Sequence, residues 1–414
     1  MSKGGVGHAV IVNDRSACVG GASNLAVLSA RLLERNGVGV TYFAGDLMPE
    51  EAPVEDMINL GDRPLVQQGR LSAFASGLYN ARAFEALRNL VKEKDTPSTI
   101  YHVHGWSKIL SPSVFRALAP VRNRTILHAH DYFLACPNGG FTNFRSHDVC
   151  ALKPMSVRCL ATHCDKRGYD EKIWRSARHF LREHFFATRT TPANIVMVHE
   201  RMRDYFSRAR INGEYLDTIR NPVTPWLTTP IEPWRQDTFF FVGRLEPEKG
   251  FDEAARAARL AGVKLHVIGD GDGRSLLEAT YPEVVIHGWQ DRQQLSLTVR
   301  GARALVVSSR VPEPFGLAAL EAVFSGIPVV MPDSALLGRE IMDHGCGVAF
   351  RAGDIGSFVD ALRVMAADDE LIEDMSTRCL GAAPMLAHTE TSWGEALMDL
   401  YERVLQRAGR GAVN

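Results

Sequence analysis

The sequence predicts an α/β protein made of two doubly wound parallel sheets in succession. Three observations lead to this. Short apolar runs alternate with segments of helical periodicity along nearly the whole chain. The series starts twice, and a proline-rich, sparsely periodic stretch from Asn221 to Pro233 separates the two starts. A length of 414 residues with 45% hydrophobic content suits two domains of ordinary size.

In the first half, His8–Asn13 reads as a strand, Ala22–Asn36 as a helix and Val38–Phe43 as a strand. Ala81–Lys94 is helical in pattern, and Ile100–Val103, Thr125–His128 and Ile195–Val198 are strands of the same sheet. Asn221-Pro-Val-Thr-Pro225 marks the linker. The second series has strands at Thr238–Val242, Lys264–Ile268, Val284–His287, Ala304–Ser308 and Ile327–Met331, with a helix at Gly250–Leu260. A helical pattern, Trp393–Arg407, closes the chain. The domains expected are 1–224 and 225–388, with 389–414 as a closing helix. No repeat of 20–50 residues is present beyond the two-fold echo of the sheets.

The net charge of −1 argues against bulk attraction to nucleic acid. The polar start Met1–Gly7 has no secretory apolar core, and no apolar run approaches the ~20 residues of a membrane-spanning helix. A cytoplasmic protein is expected. Seven cysteines, an odd number in a large chain, argue against a disulfide framework.

Ligands of doubly wound sheets bind at the carboxyl ends of the strands, and with two sheets the cleft between domains is the expected site. Glu313-Pro-Phe-Gly-Leu-Ala-Ala-Leu-Glu321 places one carboxylate in a loop and a second in the helix that follows. Carboxylates accept hydrogen bonds from hydroxyls, and a helix start attracts negative charge. A ligand with many hydroxyls and a phosphate, such as a nucleotide sugar, fits both. Arg244 and Lys249 follow the strand ending at Val242, where two fixed cations would stabilise a departing pyrophosphate; the alternative is two solvated surface charges. Gly20-Gly21 opens the first helix and would let a backbone approach a phosphate.

Gly269-Asp270-Gly271-Asp272-Gly273 is a tight turn whose backbone could contact a base or ribose, with a metal at the aspartate pair as the weaker alternative. Gly288-Trp289 offers either a contact to the base or a core tryptophan. His130 would project at the carboxyl edge of the first sheet, or be a hydrogen-bonded structural histidine. Of His102 and His104, the latter is the better candidate for the cleft.

Cys136, Cys150, Cys159 and Cys164 cluster with His147 and His163 among them. Their spacings of 13, 8 and 4 intervening residues depart from a zinc knuckle at each end. A structural metal site, plain buried cysteines and a redox-sensitive loop all remain open. Residues 171–210 hold nine Lys/Arg against four acids. Ile173, Trp174, Ala177, Phe180, Leu181, His184 and Phe185 recur there at helical spacing, as in a helix packed on its sheet or one that touches anionic lipid.

The runs Val-Gly-Arg-Leu-x-x-x-Lys-Gly250, Ile-Gly-Asp-Gly271 and Glu313-Pro-Phe-Gly-x-x-x-x-Glu321 come in order, after Gly20-Gly21 in the first loop. With them the chain resembles retaining glycosyltransferases of the GT-B fold, family 4. The resemblance implies a sugar moved from a nucleotide diphosphate sugar to an acceptor hydroxyl, in polysaccharide or glycoconjugate synthesis. Arg244 and Lys249 would hold the pyrophosphate, Glu321 the ribose and Glu313 the sugar near the reacting carbon. Backbone N–H groups of Phe315, Gly316 and Leu317 would add to sugar or phosphate binding, and Gly21 would touch the β-phosphate. His130 matches a histidine near the anomeric centre. No catalytic metal is implied, and the closing helix would return to the first domain, which would bind a carbohydrate or lipid-linked acceptor. The stretch from His130 through the cysteines, 136–164, resembles an insertion of one subgroup. The first loop reads Gly-Gly-Ala-Ser, where many relatives carry an acidic residue. A non-hydrolysing sugar-nucleotide epimerase and a non-catalytic binding protein of the same fold are the rival readings.

Overall fold

The computed structural model describes residues 5–17 and 20–411; Met1–Gly4 of the polar start lie outside them. The chain forms two compact units, Met1–Phe141 with Ala151–Ile219 and Thr391–Asn414, and Thr142–Cys150 with Arg220–Glu390. The first change of unit in the linker region thus falls at Ile219/Arg220, ahead of the prolines, and nine residues of the 136–164 stretch belong to the second unit.

In chain order the early strands are β1 (His8–Asn13), β2 (Gly39–Ala44), β3 (Asp56–Asn59), β4 (Thr99–Val103), β5 (Thr125–Ala129), β6 (Thr142–Asn143), β7 (Asp148–Val149), β8 (Asn194–Met197) and β9 (Leu216–Thr218). Seven of them form a parallel sheet in the order β3-β2-β1-β4-β5-β8-β9, while β6 and β7 pair as an antiparallel hairpin. The second unit continues with β10 (Thr238–Val242), β11 (Lys264–Ile268), β12 (Val285–Gly288), β13 (Ala302–Val306), β14 (Val329–Pro332) and β15 (Gly347–Phe350). These form a parallel sheet in the order β12-β11-β10-β13-β14-β15.

Both sheets reverse direction of growth in the middle, at β1/β4 and at β10/β13. Loops leaving the carboxyl ends of two such strands diverge and leave a crevice. This topology, rather than proximity in sequence, brings the segment after β10 beside the segment after β13.

The cores follow from the apolar runs. Phe239 and Phe241 on β10 pack with Ala254, Ala255 and Ala258 of the helix Phe251–Ala261, whose small residues let it lie close to the sheet. In the first unit, Trp393, Leu397, Leu400, Tyr401 and Val404 of the helix Glu390–Gly411 share one buried cluster with Ala9, Ile11 and Val27.

One helix departs from its expected orientation. The apolar stripe of Tyr169–Phe186 is not the buried face: Ile173 and Phe180 are 47% and 63% exposed, while Lys172, Arg178, His179 and Arg182 are buried. Buried cations require partners, and each finds one. Arg182 donates to the Leu134 carbonyl at 2.7 Å, and Arg178 donates to the Ser107 carbonyl at 2.9 Å and lies over the Trp174 ring. Burial nevertheless pushes both guanidinium groups down to about 10.

Candidate functional site

In the second unit, β10 ends at Val242 and the chain turns through Arg244 and a short 3-10 segment, Pro247–Lys249, to Gly250. The loop after β13 carries Ser308, Ser309 and Glu313. Lys249 Nζ forms an ion pair with Glu313 Oε1, and Ser309 Oγ donates to the same oxygen at 2.7 Å. Burial works against the Glu313 charge, but Lys249 and Ser309, with the Arg244 charge nearby, outweigh it and hold the carboxyl below the usual range. Glu313 is therefore a fixed acceptor. Arg244 is the more exposed cation, with a 68% exposed side chain paired to Glu246.

The two loops are locked together. Gly250 sits at φ 67° and a Cβ there would lie 2.0 Å from the Ser308 carbonyl oxygen. Ser308 Oγ donates to the carbonyls of Lys249 and Gly250 at 3.0 and 2.9 Å.

Gly316, at φ 68°, caps the helix Leu317–Phe324, with Phe315 buried beside it. The first amides of a helix have no partner one turn back, so those of Leu317 and Ala318 head this helix without an intrahelical acceptor. Glu321 lies on its second turn. Burial pushes the Glu321 carboxyl up to about 7, against the pull of Arg292 and the Trp226 indole. Arg292 Nη1 stands 3.8 Å from Glu321 Oε1 and donates from Nη2 to the carbonyls of Thr224 and Pro225 at 2.9 and 2.7 Å.

Gly269 and Gly271 make the turn after β11. A Cβ on Gly269 would meet the Gly243 carbonyl oxygen at 1.9 Å, so this turn packs directly on the Arg244 loop. Asp270 folds back, accepting from the Gly271 amide at 2.8 Å and pairing with Arg274 at 3.1 Å. Trp289 is 73% exposed, which excludes the core tryptophan, the alternative to a contact with the base.

In the first unit, Gly20 at φ 88° precedes the helix Gly21–Arg35, and added Cβ atoms on Gly20 and Gly21 would meet nothing within 4 Å. His102 on β4 and His104 just after it gather as four rings with His128 on β5 and His130 just after it; His102–His128, His104–His130 and His128–His130 are stacked, and His102–His104 is tilted at 42°. His104 is buried rather than facing a cleft: Nε2 bonds Ser29 Oγ at 3.1 Å and Nδ1 bonds His130 Nε2 at 3.0 Å. His102 bonds Tyr401 of the closing helix at 2.6 Å and His128 at 3.2 Å. Burial lowers all four, His102 and His130 to about 3, so each imidazole is neutral at neutral pH. His102, His104 and His128 bring ring nitrogens within 4.8 Å, enough to hold a metal ion. Both ring nitrogens of His102 and of His104 already serve hydrogen bonds, an arrangement suited to fixing tautomers.

The cysteines do not form one ligand set within a unit. Cys136, Cys159 and Cys164 are buried in the first unit, whereas Cys150 falls in the second. Lys172 Nζ donates to Cys164 Sγ at 3.2 Å and Cys159 Sγ at 3.5 Å, placing a cation where a metal would compete for the same sulfurs.

Sequence reasoning named Lys249, Glu313 and Glu321 but not Ser309, Arg292 or Trp226. Arg292 follows Asp291, which caps the helix Arg292–Thr298 in a capping box with Gln294. That signal locates a helix start but says nothing of what its first side chain faces.

Residues 231–379 match the family model Glycosyl transferases group 1. A GDP-mannose-dependent alpha-mannosyltransferase of Mycobacterium tuberculosis is 32% identical over 114 residues, 28% of this chain and 30% of its own length. A D-inositol 3-phosphate glycosyltransferase of Nocardia farcinica is 30% identical over 198 residues, 42% of this chain and 43% of its own length. The chain thus spans less than half the length of these curated relatives. Among solved structures, sucrose-phosphate synthase from Thermosynechococcus elongatus is similar over 97% of this chain and 99% of its own, with a TM-score of 0.70 and 16% identity. WaaG, a glycosyltransferase involved in lipopolysaccharide biosynthesis, is similar over 95% of this chain and 99% of its own, with a TM-score of 0.64 and 16% identity. Anabaena HepE, solved with UDP and glucose, is similar over 95% of this chain and 98% of its own, with a TM-score of 0.60 and 15% identity. These likenesses show the fold, which is the GT-B fold of two α/β domains with parallel sheets.

Proposed function

We propose that this chain, whose second unit carries a group 1 glycosyl transferase region, is a retaining hexosyltransferase of family 4. It takes a sugar from a nucleotide diphosphate sugar and delivers it to an acceptor hydroxyl in polysaccharide or glycoconjugate synthesis. The observation that carries this reading is the Lys249–Glu313 pair with Ser309, set at the carboxyl edge of β10 and β13 inside the matched region.

Glu313 accepts from the sugar hydroxyls beside the reacting carbon. Lys249 and Arg244 stabilise the charge that grows on the pyrophosphate as the bond to carbon breaks. Phe315, Gly316 and Leu317 present backbone amides to the same region, Glu321 takes the ribose hydroxyls, and the turn Gly269-Asp270-Gly271 lies beside the nucleotide. The departing phosphate oxygen accepts the proton of the attacking hydroxyl on the same face. Cations of the chain fill the role of a metal, so a chelator should leave turnover unchanged; its loss on chelation counts against the mechanism. Of the first unit, Gly20 and Gly21 are proposed to meet the donor phosphates and His130 to lie near the anomeric centre, and the acceptor is proposed to bind there. No helix of the described residues is long and apolar enough to cross a membrane.

The reading is tested by a thermal-shift screen against nucleotide diphosphates and their sugars, followed by NMR of the products. A ligand that binds only the folded chain raises the melting point. Release of free nucleotide diphosphate with a new glycoside supports transfer, whereas a rearranged nucleotide sugar without release supports the epimerase.

Glu321 gives a pH dependence. Its folded value is raised from 4.5 to about 7, so between these values the folded chain binds more protons than the unfolded one. Stability from this group therefore falls as pH rises through that window. Nucleotide binding, which uses the ionised carboxylate, should strengthen over the same interval. Calorimetry from ~pH 5 to ~pH 8 should show affinity rising in the wild type. The rise should be absent in Glu321→Gln; an equal rise in the variant would remove Glu321 from the ribose site.

A further inference from the structure

A cavity of about 410 Å³ lies within the second unit, at the carboxyl ends of β13, β14 and β15 and beneath the β6–β7 hairpin. Its wall includes Ser308 and Ser309, the two serines that hold the Lys249 loop and the Glu313 carboxylate. The cavity therefore adjoins the candidate site for the sugar.

The lining is polar: Ser146, His147 and Ser334 can donate as well as accept, and the carboxylates of Asp148 and Glu253 face one guanidinium, that of Arg310. The Ser308 hydroxyl hydrogen is used on the carbonyls of Lys249 and Gly250, and that of Ser309 on Glu313, so both oxygens offer lone pairs only. Arg310 brings no free cation: Nε donates to Glu253 at 3.3 Å, Nη1 to the Pro247 carbonyl at 2.8 Å and Nη2 to Asp252 at 2.8 Å. The Asp148 carboxylate, from the hairpin, has no salt-bridge partner among the described residues, and Ser334 contributes a hydroxyl to the same wall. Val149, Pro332 and Phe350 supply apolar surface between these groups. Such a wall is rich in acceptors, and its carboxylates with no free guanidinium disfavour anions. A neutral saccharide donates hydrogen bonds from its hydroxyls and lays C–H faces on apolar surface, whereas a phosphate group would meet carboxylates and lone pairs with no free cation.

We propose that this cavity is a subsite for a neutral saccharide residue of the acceptor, distinct from the transferred sugar and formed partly by the β6–β7 hairpin. The proposal rests on the glycosyltransferase reading, whose donor half is tested separately below. It adds a substrate class: a saccharide without phosphate on the residue nearest the reaction.

The experiment is saturation-transfer NMR on the full chain with neutral disaccharides, hexose phosphates, UDP and GDP as probes. It is run on the wild type, on Ser334→Trp, which fills the cavity, and on Asp148→Ala, which removes an exposed acceptor without disturbing the core. The expected result is wild-type binding of a neutral disaccharide and weakening by roughly 10-fold or more in both variants, with nucleotide binding unchanged. Preference for hexose phosphates, no binding of any neutral disaccharide, or unaltered binding in Asp148→Ala and Ser334→Trp would each overturn it. Nucleotide binding retained in Asp148→Ala shows that the unit is folded. Disaccharide binding with no nucleotide binding in the wild type would sink the donor reading while leaving the subsite standing.

Discussion

Lys249→Ala is expected to lower turnover by about 10²–10³-fold, the scale measured for removal of one fixed transition-state donor, while the chain stays folded. The reason is twofold. In the proposed reaction Lys249 would supply charge where the pyrophosphate departs, and in the structure it holds the Glu313 carboxyl below the usual range. Without the lysine, burial acts on Glu313 with only Ser309 and the Arg244 charge to oppose it, so its carboxyl rises and its acceptor strength falls. The two effects separate kinetically. Loss of transition-state charge lowers kcat at every pH, whereas a raised Glu313 adds a new dependence that recovers at higher pH. A pH series of kcat for Lys249→Ala with the donor found by thermal shift reads both. Turnover within about 3-fold of wild type across that series would exclude Lys249 from the chemistry.

The sequence made the sheets legible because parallel strands covered on both faces are apolar throughout. Phe239–Val242 and Ile100–Val103 could be little else. What it concealed were elements whose burial depends on specific partners. The helix Tyr169–Phe186 shows the limit: its apolar stripe suggested one buried face, yet the structure buries Lys172, Arg178 and Arg182. Periodicity records which face is apolar. It does not record that Leu134, Ser107 and two thiols would satisfy three cations from the other side. The short strands β3 and β9 were missed for a related reason, since half-polar edge strands such as Asp56–Asn59 carry little apolar signal.

The candidate site was legible in part. Spacing within Glu313–Glu321 and within Arg244–Lys249 is local, so both segments could be read directly. That Lys249 meets Glu313 is topological, because it requires β10 and β13 to be neighbours. Arg292 beside Glu321 comes from a third element, and Ser308 and Ser309 draw their significance from carbonyls and a carboxylate that no pattern announces.

The coupling of these loops gives the second large effect. Gly250→Ala should destabilise the second unit by more than about 2 kcal/mol, because an added methyl meets strain and a backbone clash together. At φ 67° an alanine is disfavoured by itself, and its Cβ would lie 2.0 Å from the Ser308 carbonyl oxygen, so the loop after β13 must move. That movement stretches the Ser308 hydrogen bonds and separates Lys249 from Ser309 and Glu313. Turnover should therefore fall with stability, even at temperatures where the variant is folded. Gly262→Ala is the control. Its φ of 76° and ψ of 28° match the 67° and 26° of Gly250 and carry a similar backbone cost, but nothing lies within 4 Å of the new Cβ. Scanning calorimetry should show the Gly250→Ala transition lowered by roughly 4–8 °C, with a clearly smaller shift for Gly262→Ala. Equal shifts would assign the whole effect to backbone conformation and leave the Ser308 clash without energetic weight. An unshifted Gly250→Ala with wild-type turnover would mean that the Lys249 loop does not depend on its contact with Ser308.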